Sequence, residues 1–449
     1  MLLNFRVANY RSFKDEVTLS FVATRLDDGQ GRPTRVALDQ STVDVLPVLA
    51  VLGANASGKS NLLRAMSFMR DMVIRSAQRP PLDGIPVDPF LLEPTYKQKP
   101  TLMELDFTMD GERFQYGFEF DAHRITGEWL HTFPHKRTQV LFDRDNFDDY
   151  QWGKNLPPKT RTLAGITRPD VLFVSVGAQM GNDLLTRIYA FFRKNLVLLD
   201  VPDRGQITAP TVRRLRAKRS KSLNMLALAD LGIVDAKVTK IKLTDAERER
   251  YRRHIDKSWE FEPNISPEER EAEIESVLRN IEERNENPSV ELIHRGIGNR
   301  GVALPFEQES LGTKSWLSFS AYALDAIENG GTLLVDELDA SLHPLLLREA
   351  IDLFQSTANV RGAQMVFTTH DVTLLGSSSD DHRLSRGQIW MVEKGEGGDS
   401  ALIPLSDYKP RKGEDIARGY LQGRYGGTPR IARRSATRAA IESGDNGNA

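Results

Sequence analysis

The chain has 449 residues, of which 40% are hydrophobic and 27% are charged, so it can bury a large core and is not globally disordered. Its 60 Lys and Arg residues nearly balance its 62 Asp and Glu residues, which excludes a protein whose whole surface coats nucleic acid. It contains no cysteine, which excludes disulfides, thiolate nucleophiles, zinc–cysteine sites and iron–sulfur clusters.

The amino terminus lacks the pattern of a signal peptide. The longest apolar run, residues 45–54, is far shorter than the roughly 20 residues that span a bilayer. We therefore expect a soluble cytoplasmic protein that makes no contact with a membrane.

The first part of the chain predicts a hairpin, a loop, a buried strand and a helix. Apolar residues alternate in 3–7 and again in 17–21, which indicates an antiparallel hairpin, and the polar stretch 26–44 predicts a loop. The apolar run 48–52 is typical of a strand that is buried on both faces. Apolar residues at helical spacing then predict a helix over 59–77.

Further along, a period of two returns over 101–142 and predicts a small antiparallel sheet with a turn at Asp110 and Gly111. The polar stretch 143–170 predicts a loop, the apolar run 171–176 a strand and the pattern of 184–192 a helix.

Residues 205–300 are dense in charge, and we interpret them as a helical insertion with charged helices at 245–254 and 267–285. The chain then becomes apolar again. This part predicts helices at 315–328 and 343–358 and short strands at 332–335, 364–368 and 389–392.

Residues 53–60 match the pattern G-x-x-x-x-G-K-[ST] between the predicted strand and helix. The glycines let successive backbone N–H groups point inward at phosphate oxygens, and the helix adds the positive end of its dipole. In this pattern Lys59 reaches the β- and γ-phosphates and Ser60 holds Mg²⁺.

Two carboxylates, Asp336 and Glu337, follow the predicted strand 332–335, at the edge where ligands bind to parallel sheets. Asp336 can bind Mg²⁺, and Glu337 can orient and deprotonate an attacking water. His370 ends a third strand and can donate a hydrogen bond to a γ-phosphate. Ser310 and Gly312, just before a predicted helix, can form a second anion site at a helix N-terminus.

The order of these motifs resembles that of ABC-type ATPase heads, and in particular the soluble heads of RecF and SMC proteins rather than transporter subunits. It is most similar to the stand-alone bacterial ATPases of abortive-infection and anti-phage systems, such as RloA, AbiL and AriA. The segments that carry this similarity are 309–313, 336–344, 367–371 and 423–429.

The resemblance implies an α/β fold, a P-loop ABC-type ATPase head with an N-terminal antiparallel β lobe and a helical insertion. It divides the chain into an N-terminal ATPase lobe at 1–195, the insertion at 196–304, and a C-terminal ATPase lobe with a basic tail at 305–449.

The resemblance also implies that ATP and Mg²⁺ are bound, with Glu337, His370 and Lys59 as catalytic residues and Ser60 and Asp336 at the metal. Two copies would sandwich the ATP in a homodimer or a higher homo-oligomer, and Ser310 and Gly312 of one copy would face Lys59 of the other. Asp339 completes the expected site, and the candidates for the glutamine loop of the family are Gln179 and, as an alternative, Gln98. The residues expected around the phosphates are Gly53, Ala54, Asn55, Ala56, Ser57, Gly58, Lys59, Ser60 and Asn61.

These expectations lead to a nucleotide-gated sensor or regulator in bacterial anti-phage defence that acts on a separate effector protein. Only 79 residues follow His370, so we expect the effector, a TOPRIM-like nuclease, to be encoded nearby rather than in this chain. The alternative is a RecF-like ATPase in DNA repair, with nucleic acid bound by the basic stretches 213–221 and 409–438. Solvated charge is an equally good interpretation of both stretches.

Overall fold

The computed structural model describes residues 1–24, 32–38, 41–81, 83–146, 148–154, 156–200, 206–217, 219–229, 232–239, 248–250, 252–253, 271–272, 274–278, 289–376, 384–411 and 414–428. The chain divides into two compact units. The first unit comprises Met1–Leu198 and Ala326–Ala449, and the second comprises Leu199–Asp325.

The described part of the chain forms a mixed α/β fold with several sheets. Its strands are β1 Leu2–Ala8, β2 Val17–Ser20, β3 Thr34–Leu38, β4 Ser41–Val45, β5 Val48–Gly53, β6 Thr101–Met109, β7 Glu112–Phe120, β8 Ile125–Thr132, β9 Gln139–Asp145, β10 Asp149–Trp152, β11 Val197–Leu199, β12 Ile233–Thr239, β13 Ser289–Arg295, β14 Gly301–Pro305, β15 Thr332–Val335, β16 Gln364–Thr369, β17 Ile389–Lys394 and β18 Ser400–Pro404. Its helices are α1 Lys59–Arg75, α2 Pro158–Arg161, α3 Phe173–Gln179, α4 Asp183–Lys194, α5 Ala209–Ala217, α6 Arg219–Leu228, α7 Leu311–Asn329, α8 Pro344–Gln355 and α9 Ile416–Leu421.

The first unit contains a seven-stranded sheet in the order β10-β9-β8-β7-β6-β1-β2, in which all neighbouring strands are antiparallel. The predicted first hairpin is confirmed, with Phe5 opposite Leu19. The predicted turn at Asp110 and Gly111 is confirmed as well, and both residues have positive φ values of 53° and 81°. A two-residue turn with these angles matches the right-handed twist of the two strands that it joins.

The second sheet of this unit has the order β11-β15-β16-β5-β17-β18, and its four central strands β15, β16, β5 and β17 are parallel. All residues of β5, β15 and β16 are buried, and for β5 the uniformly apolar run 48–52 predicted this. The strands and the helices α1, α4, α7 and α8 lie where the sequence predicted them. Because parallel strands end at the same edge, residues that follow β5, β15 and β16 are brought together.

Two segments that were predicted as loops contain strands instead. In the stretch 26–44, β3 pairs with β4, and in the stretch 143–170, β9 continues to Asp145 and pairs with β10. The second stretch was predicted as a loop because it is polar. Its Arg144 is nevertheless buried in the sheet, where it forms an ion pair with Glu128. A charged side chain can be buried when it is paired in this way.

The prediction of a strand over 171–176 is wrong, because these residues lead into and form the helix α3. The buried carboxylate of Glu128 accepts hydrogen bonds from the N–H groups of Phe173 (2.7 Å) and Val174 (3.1 Å), in the first turn of that helix. A carboxylate satisfies N–H groups that have no partner within the helix and interacts favourably with its dipole. This long-range contact overrides the strand preference of the β-branched residues.

The sequence predicted a helical insertion, but the second unit is not purely helical. It contains α5 and α6 but also a three-stranded antiparallel sheet in the order β12-β13-β14. The charged helices predicted at 245–254 and 267–285 lie mostly outside the described residues. The division into lobes at 195 and 304 stays a prediction. No helix in the described part of the chain combines the length and the apolar character that crossing a bilayer requires.

Candidate functional site

The glycine loop, residues 53–58, joins the end of β5 to the start of α1. Its residues Ala56 and Gly58 have φ values of 60° and 115°. A Cβ atom on Gly58 would overlap Ser400 and lie 2.6 Å from Oγ of Ser12, so both the conformation and the space require glycine here. The loop therefore makes a tight turn, and the helix α1 begins directly after it at Lys59.

The ammonium group of Lys59 is buried within this turn. Its Nζ donates hydrogen bonds to the carbonyl oxygens of Gly53 (2.9 Å) and Ala54 (3.0 Å). Burial lowers the pKa of Lys59, while the nearby carboxylates of Asp336, Glu337 and Asp339 oppose that shift. The Nζ of Lys59 therefore lies within the loop and is electrostatically coupled to the three carboxylates.

The buried carboxylate of Asp336 faces the start of α1. Its Oδ1 accepts hydrogen bonds from Oγ of Ser60 at 2.9 Å and from Oγ1 of Thr368 at 2.7 Å. Neighbouring ligands of an octahedral Mg²⁺ at 2.0–2.1 Å lie roughly 2.9 Å apart. The separation of the two oxygens from Ser60 and Asp336 therefore fits a shared magnesium ion.

Among the described residues, no group of three or more His, Asp or Glu side chains is placed to hold a metal by itself. Mg²⁺ usually takes one or two carboxylate ligands from a protein and completes its shell with water and substrate phosphates.

Glu337 follows Asp336 in a left-handed conformation, with a φ of 49°. Its N–H donates to Oγ1 of Thr368 at 2.6 Å, and the next N–H, of Leu338, donates to the carbonyl oxygen of Thr368 at 3.0 Å. Non-glycine residues pay an energetic penalty in this conformation, and such residues concentrate at functional sites. The turn directs Glu337 to the wall of the same cavity as the glycine loop.

His370 directly follows β16, and its backbone N–H donates a hydrogen bond to Oδ2 of Asp339 at 3.2 Å. Burial and the charge of Lys59 lower the pKa of His370, although the nearby carboxylates act in the opposite direction. These effects favour the neutral imidazole, which carries one N–H that can donate a hydrogen bond. The other oxygen of Asp339, Oδ1, is buried without a hydrogen-bond partner.

These groups enclose a cavity of about 370 Å³. It is lined by Asn55, Ala56, Ser57, Gly58, Lys59, Ser60, Asn61, Glu337 and His370. A larger cavity of about 990 Å³ is lined by parts of β1, β4, β7 and the loop after β8, and none of the predicted site residues lines it. The chemistry-bearing residues therefore define the smaller cavity as the candidate site.

Other predicted site residues lie elsewhere or have other contacts. The Nδ2 of Asn61 donates to Oγ of Ser12 at 2.9 Å. Gln179 is exposed at the end of α3 and is not among the residues that line the cavity. Ser310 and Gly312 belong to the second unit, where Oγ of Ser310 accepts the N–H of Thr313 at 3.1 Å and so caps the helix α7.

Sequence reasoning missed Thr368 as a residue of this site. The Thr-Thr-His order at the end of β16 is the local signal that could have suggested it. Ser400, which contacts the glycine loop, carries no local signal, because it approaches the loop from a distant part of the chain.

The sequence model of a family described as "AAA domain, putative AbiEii toxin, Type IV TA system" matches residues 48–376. This range includes the glycine loop, both carboxylates and the strand-end histidine. No curated protein matches the sequence.

Several solved structures of SMC head domains match this chain in a structural comparison. The head from Thermotoga maritima is 13% identical, with 90% of this chain and 98% of that chain covered and a TM-score of 0.36. A head from Pyrococcus furiosus, bound to the C-terminal domain of ScpA, is 14% identical, with coverages of 91% and 97% and a TM-score of 0.40. A head from Pyrococcus yayanosii is 13% identical, with coverages of 94% and 99% and a TM-score of 0.37.

Proposed function

The chain belongs to the AAA-domain family whose model matches residues 48–376, and from this premise we propose that it binds and hydrolyses Mg-ATP and uses its nucleotide state to regulate a separate effector. Membership of this family means that the chain contains an ATPase domain of the AAA type. The hydrolysis, the role of Mg²⁺ and the regulated partner are our proposals.

One observation carries the proposal: a glycine loop, a buried lysine, two carboxylates and a histidine converge at one edge of a parallel sheet. The loop N–H groups and Lys59 bind the phosphates. Ser60 and Asp336 hold Mg²⁺, which would supply charge stabilisation on the phosphate oxygens. Glu337 orients and deprotonates the attacking water, and His370 donates its N–H to the γ-phosphate.

We also propose that the active form is a homodimer in which Ser310 of one copy completes the site of the other. Support comes from the second unit, where Ser310 is exposed at the N-terminus of the long helix α7 and the next residue, Leu311, is 57% exposed. Such a helix end attracts phosphate oxygens. The carboxylate of Asp339, which accepts a hydrogen bond from the backbone N–H of His370, would lie beside the shared site.

The regulatory role in anti-phage defence rests on the family description, which names a toxin and a toxin–antitoxin system, and on the similarity to the RloA, AbiL and AriA group. In this reading the effector is a separate protein, a TOPRIM-like nuclease, and the ATPase controls it through its nucleotide-dependent dimer.

A RecF-like DNA-binding ATPase is the second candidate, and the basic stretch 409–438 favours it. DNA binding through this stretch would weaken steeply as the salt concentration rises, because counterions are released from the phosphates. A titration of duplex DNA with the full chain and ATP over a range of salt concentrations tests it, and absence of affinity at low salt would remove this candidate.

The proposed activity is tested by the release of phosphate from ATP by the purified full chain, with Mg²⁺ and again with an excess of EDTA. We expect turnover with Mg²⁺ and none with EDTA. Equal phosphate release in both conditions would contradict the proposed chemistry.

A further inference from the structure

Ser400, the first residue of β18, contacts the glycine loop although 343 positions separate it from Ser57. Its side chain is 4% exposed, and its Oγ donates a hydrogen bond of 2.5 Å to the carbonyl oxygen of Ser57. Its N–H donates to the carbonyl oxygen of Ser12 at 2.7 Å. Both hydrogen-bond donors of Ser400 thus bind backbone carbonyl groups of other segments, those of Ser57 and Ser12.

The groups around this contact are closely packed. The Oγ of Ser12 accepts a hydrogen bond from Asn61 and lies 2.6 Å from the place where a Cβ atom on Gly58 would be. The same Cβ atom would overlap Oγ of Ser400. The peptide that joins Ser57 to Gly58 is therefore enclosed by Ser12 on one element and by Ser400 on another.

A trans peptide is planar, and its C=O and N–H bonds point in opposite directions. Because the Ser57 carbonyl is fixed on Ser400, the N–H of Gly58 in the same peptide must point away from Ser400. Gly58 lines the candidate site, and its N–H is one of the donors that a phosphate-binding loop uses. We propose that Ser400 is a positioning residue, which orients the Gly58 N–H for nucleotide phosphates.

The same C-terminal segment also contacts the other end of the loop. A Cβ atom on Gly427 would lie 3.2 Å from Cα of Gly53, and the Gly427 carbonyl accepts a hydrogen bond of 3.0 Å from the hydroxyl of Tyr420. A Cβ atom on Gly53 would lie 2.5 Å from the carbonyl oxygen of Val392. Residues 389–428 therefore support the loop at both of its ends, which local sequence patterns around the loop do not reveal.

This inference rests on the proposed ATP binding, and its test compares two single deletions of a buried serine hydroxyl. Ser400→Ala removes the donor to the loop. Ser406→Ala is the matched control, because Ser406 is a buried serine of the same segment whose hydroxyl bonds to the neighbouring Asp407. KM and kcat for Mg-ATP, the dissociation constants of ATP and ADP, and thermal stability are measured for both variants and for the wild type.

We expect Ser400→Ala to raise KM and both dissociation constants roughly two- to tenfold, the factor that one net hydrogen bond provides, with little change in kcat. Ser406→Ala should leave the nucleotide constants unchanged, whatever it does to stability. If Ser400→Ala does not fold, Ser400→Cys, which keeps most of the volume but donates weakly, should give an intermediate rise in KM.

The outcomes separate this inference from the proposed function. Absence of ATP binding by the wild type contradicts the proposed function itself. Normal binding by the wild type and by Ser400→Ala, or an equal loss in Ser400→Ala and Ser406→Ala, overturns the role of Ser400 and leaves the proposed function intact.

Discussion

The hydroxyl of Ser60 donates a hydrogen bond of 2.9 Å to Oδ1 of Asp336, although 276 positions separate the two residues along the chain. One residue lies in the first turn of α1 and the other directly follows β15. The contact joins the glycine loop to the acidic strand end, and the distance between the two oxygens is the one that a shared Mg²⁺ needs. It is the geometric basis of the proposed site.

Glu337→Gln should retain ATP binding and lose ATP turnover. The substitution keeps the size of the side chain but removes the base that we assign to the attacking water, and general-base catalysis contributes roughly 100- to 10,000-fold to rates. The rate of phosphate release and the dissociation constant of ATP measure the two effects. Glu349→Gln, on the exposed face of α8, is the control and should match the wild type. Turnover by Glu337→Gln at the wild-type rate would show that this carboxylate is not the base.

Thr368→Val should reduce both turnover and stability. The hydroxyl of Thr368 donates to Asp336 and accepts the N–H of Glu337, so its loss leaves two buried groups without this partner. We expect about a tenfold loss of kcat and a decrease of about 1–3 kcal/mol in the free energy of unfolding. Steady-state kinetics and urea denaturation measure them.

Thr332→Val provides the control for Thr368→Val. Thr332 is a buried threonine at the opposite end of β15, and its hydroxyl bonds to Asn195. Its replacement should cost stability but spare kcat. Equal losses of kcat in the two variants would mean that Thr368 acts only through the stability of the sheet.

The sequence predicted the local parts of this architecture well. The glycine loop, the strand before it and the helix after it occupy consecutive residues, and their spacing alone is informative. The helix α3 could not be predicted, because its N-terminus is stabilised by Glu128, which lies 45 positions before Phe173. Ser400 was missed for the same reason, because it acts on Ser57, which is close in space but 343 positions away in the sequence. Thr368 carried a local signal in the order Thr-Thr-His, but its partner Asp336 lies 32 positions before it.

The proposed sharing of the site between two copies predicts that two inactive variants restore each other. Lys59→Ala and Ser310→Ala should each be inactive, but a mixed dimer holds one site with an intact lysine and an intact serine. A 1:1 mixture should therefore recover roughly a quarter of the wild-type turnover, given a symmetric dimer.

The control for this mixing experiment pairs Lys59→Ala with Glu337→Gln. Both residues belong to the same half of the pocket, since Glu337 and Lys59 line one cavity within a single chain. This mixture leaves both sites of the mixed dimer defective and should stay inactive. Equal recovery in the two mixtures, or none in the first, would speak against sharing through Ser310.

Glu128→Ala should destabilise the first unit strongly. Glu128 is fully buried, accepts two backbone N–H groups and the hydroxyl of Tyr116, and forms an ion pair with the buried Arg144. Removing one partner of a buried ion pair costs about 3–5 kcal/mol. Chemical denaturation should show this loss, whereas Glu112→Ala, at an exposed position of β7, should change stability little. A loss below about 1 kcal/mol in Glu128→Ala would contradict the assigned role in α3.

The binding of ATP to Lys59→Ala tests the central claim most directly, because Lys59 is the cation that the glycine loop delivers to the phosphates. Calorimetric titration of the wild type, Lys59→Ala and the control Lys159→Ala, at an exposed lysine of α2, gives the comparison. We predict tight binding by the wild type and by Lys159→Ala and a loss of about 100-fold or more in Lys59→Ala, as expected when charge-assisted bonds to phosphate are removed. An unchanged affinity in Lys59→Ala would contradict the assignment of this loop as the ATP site.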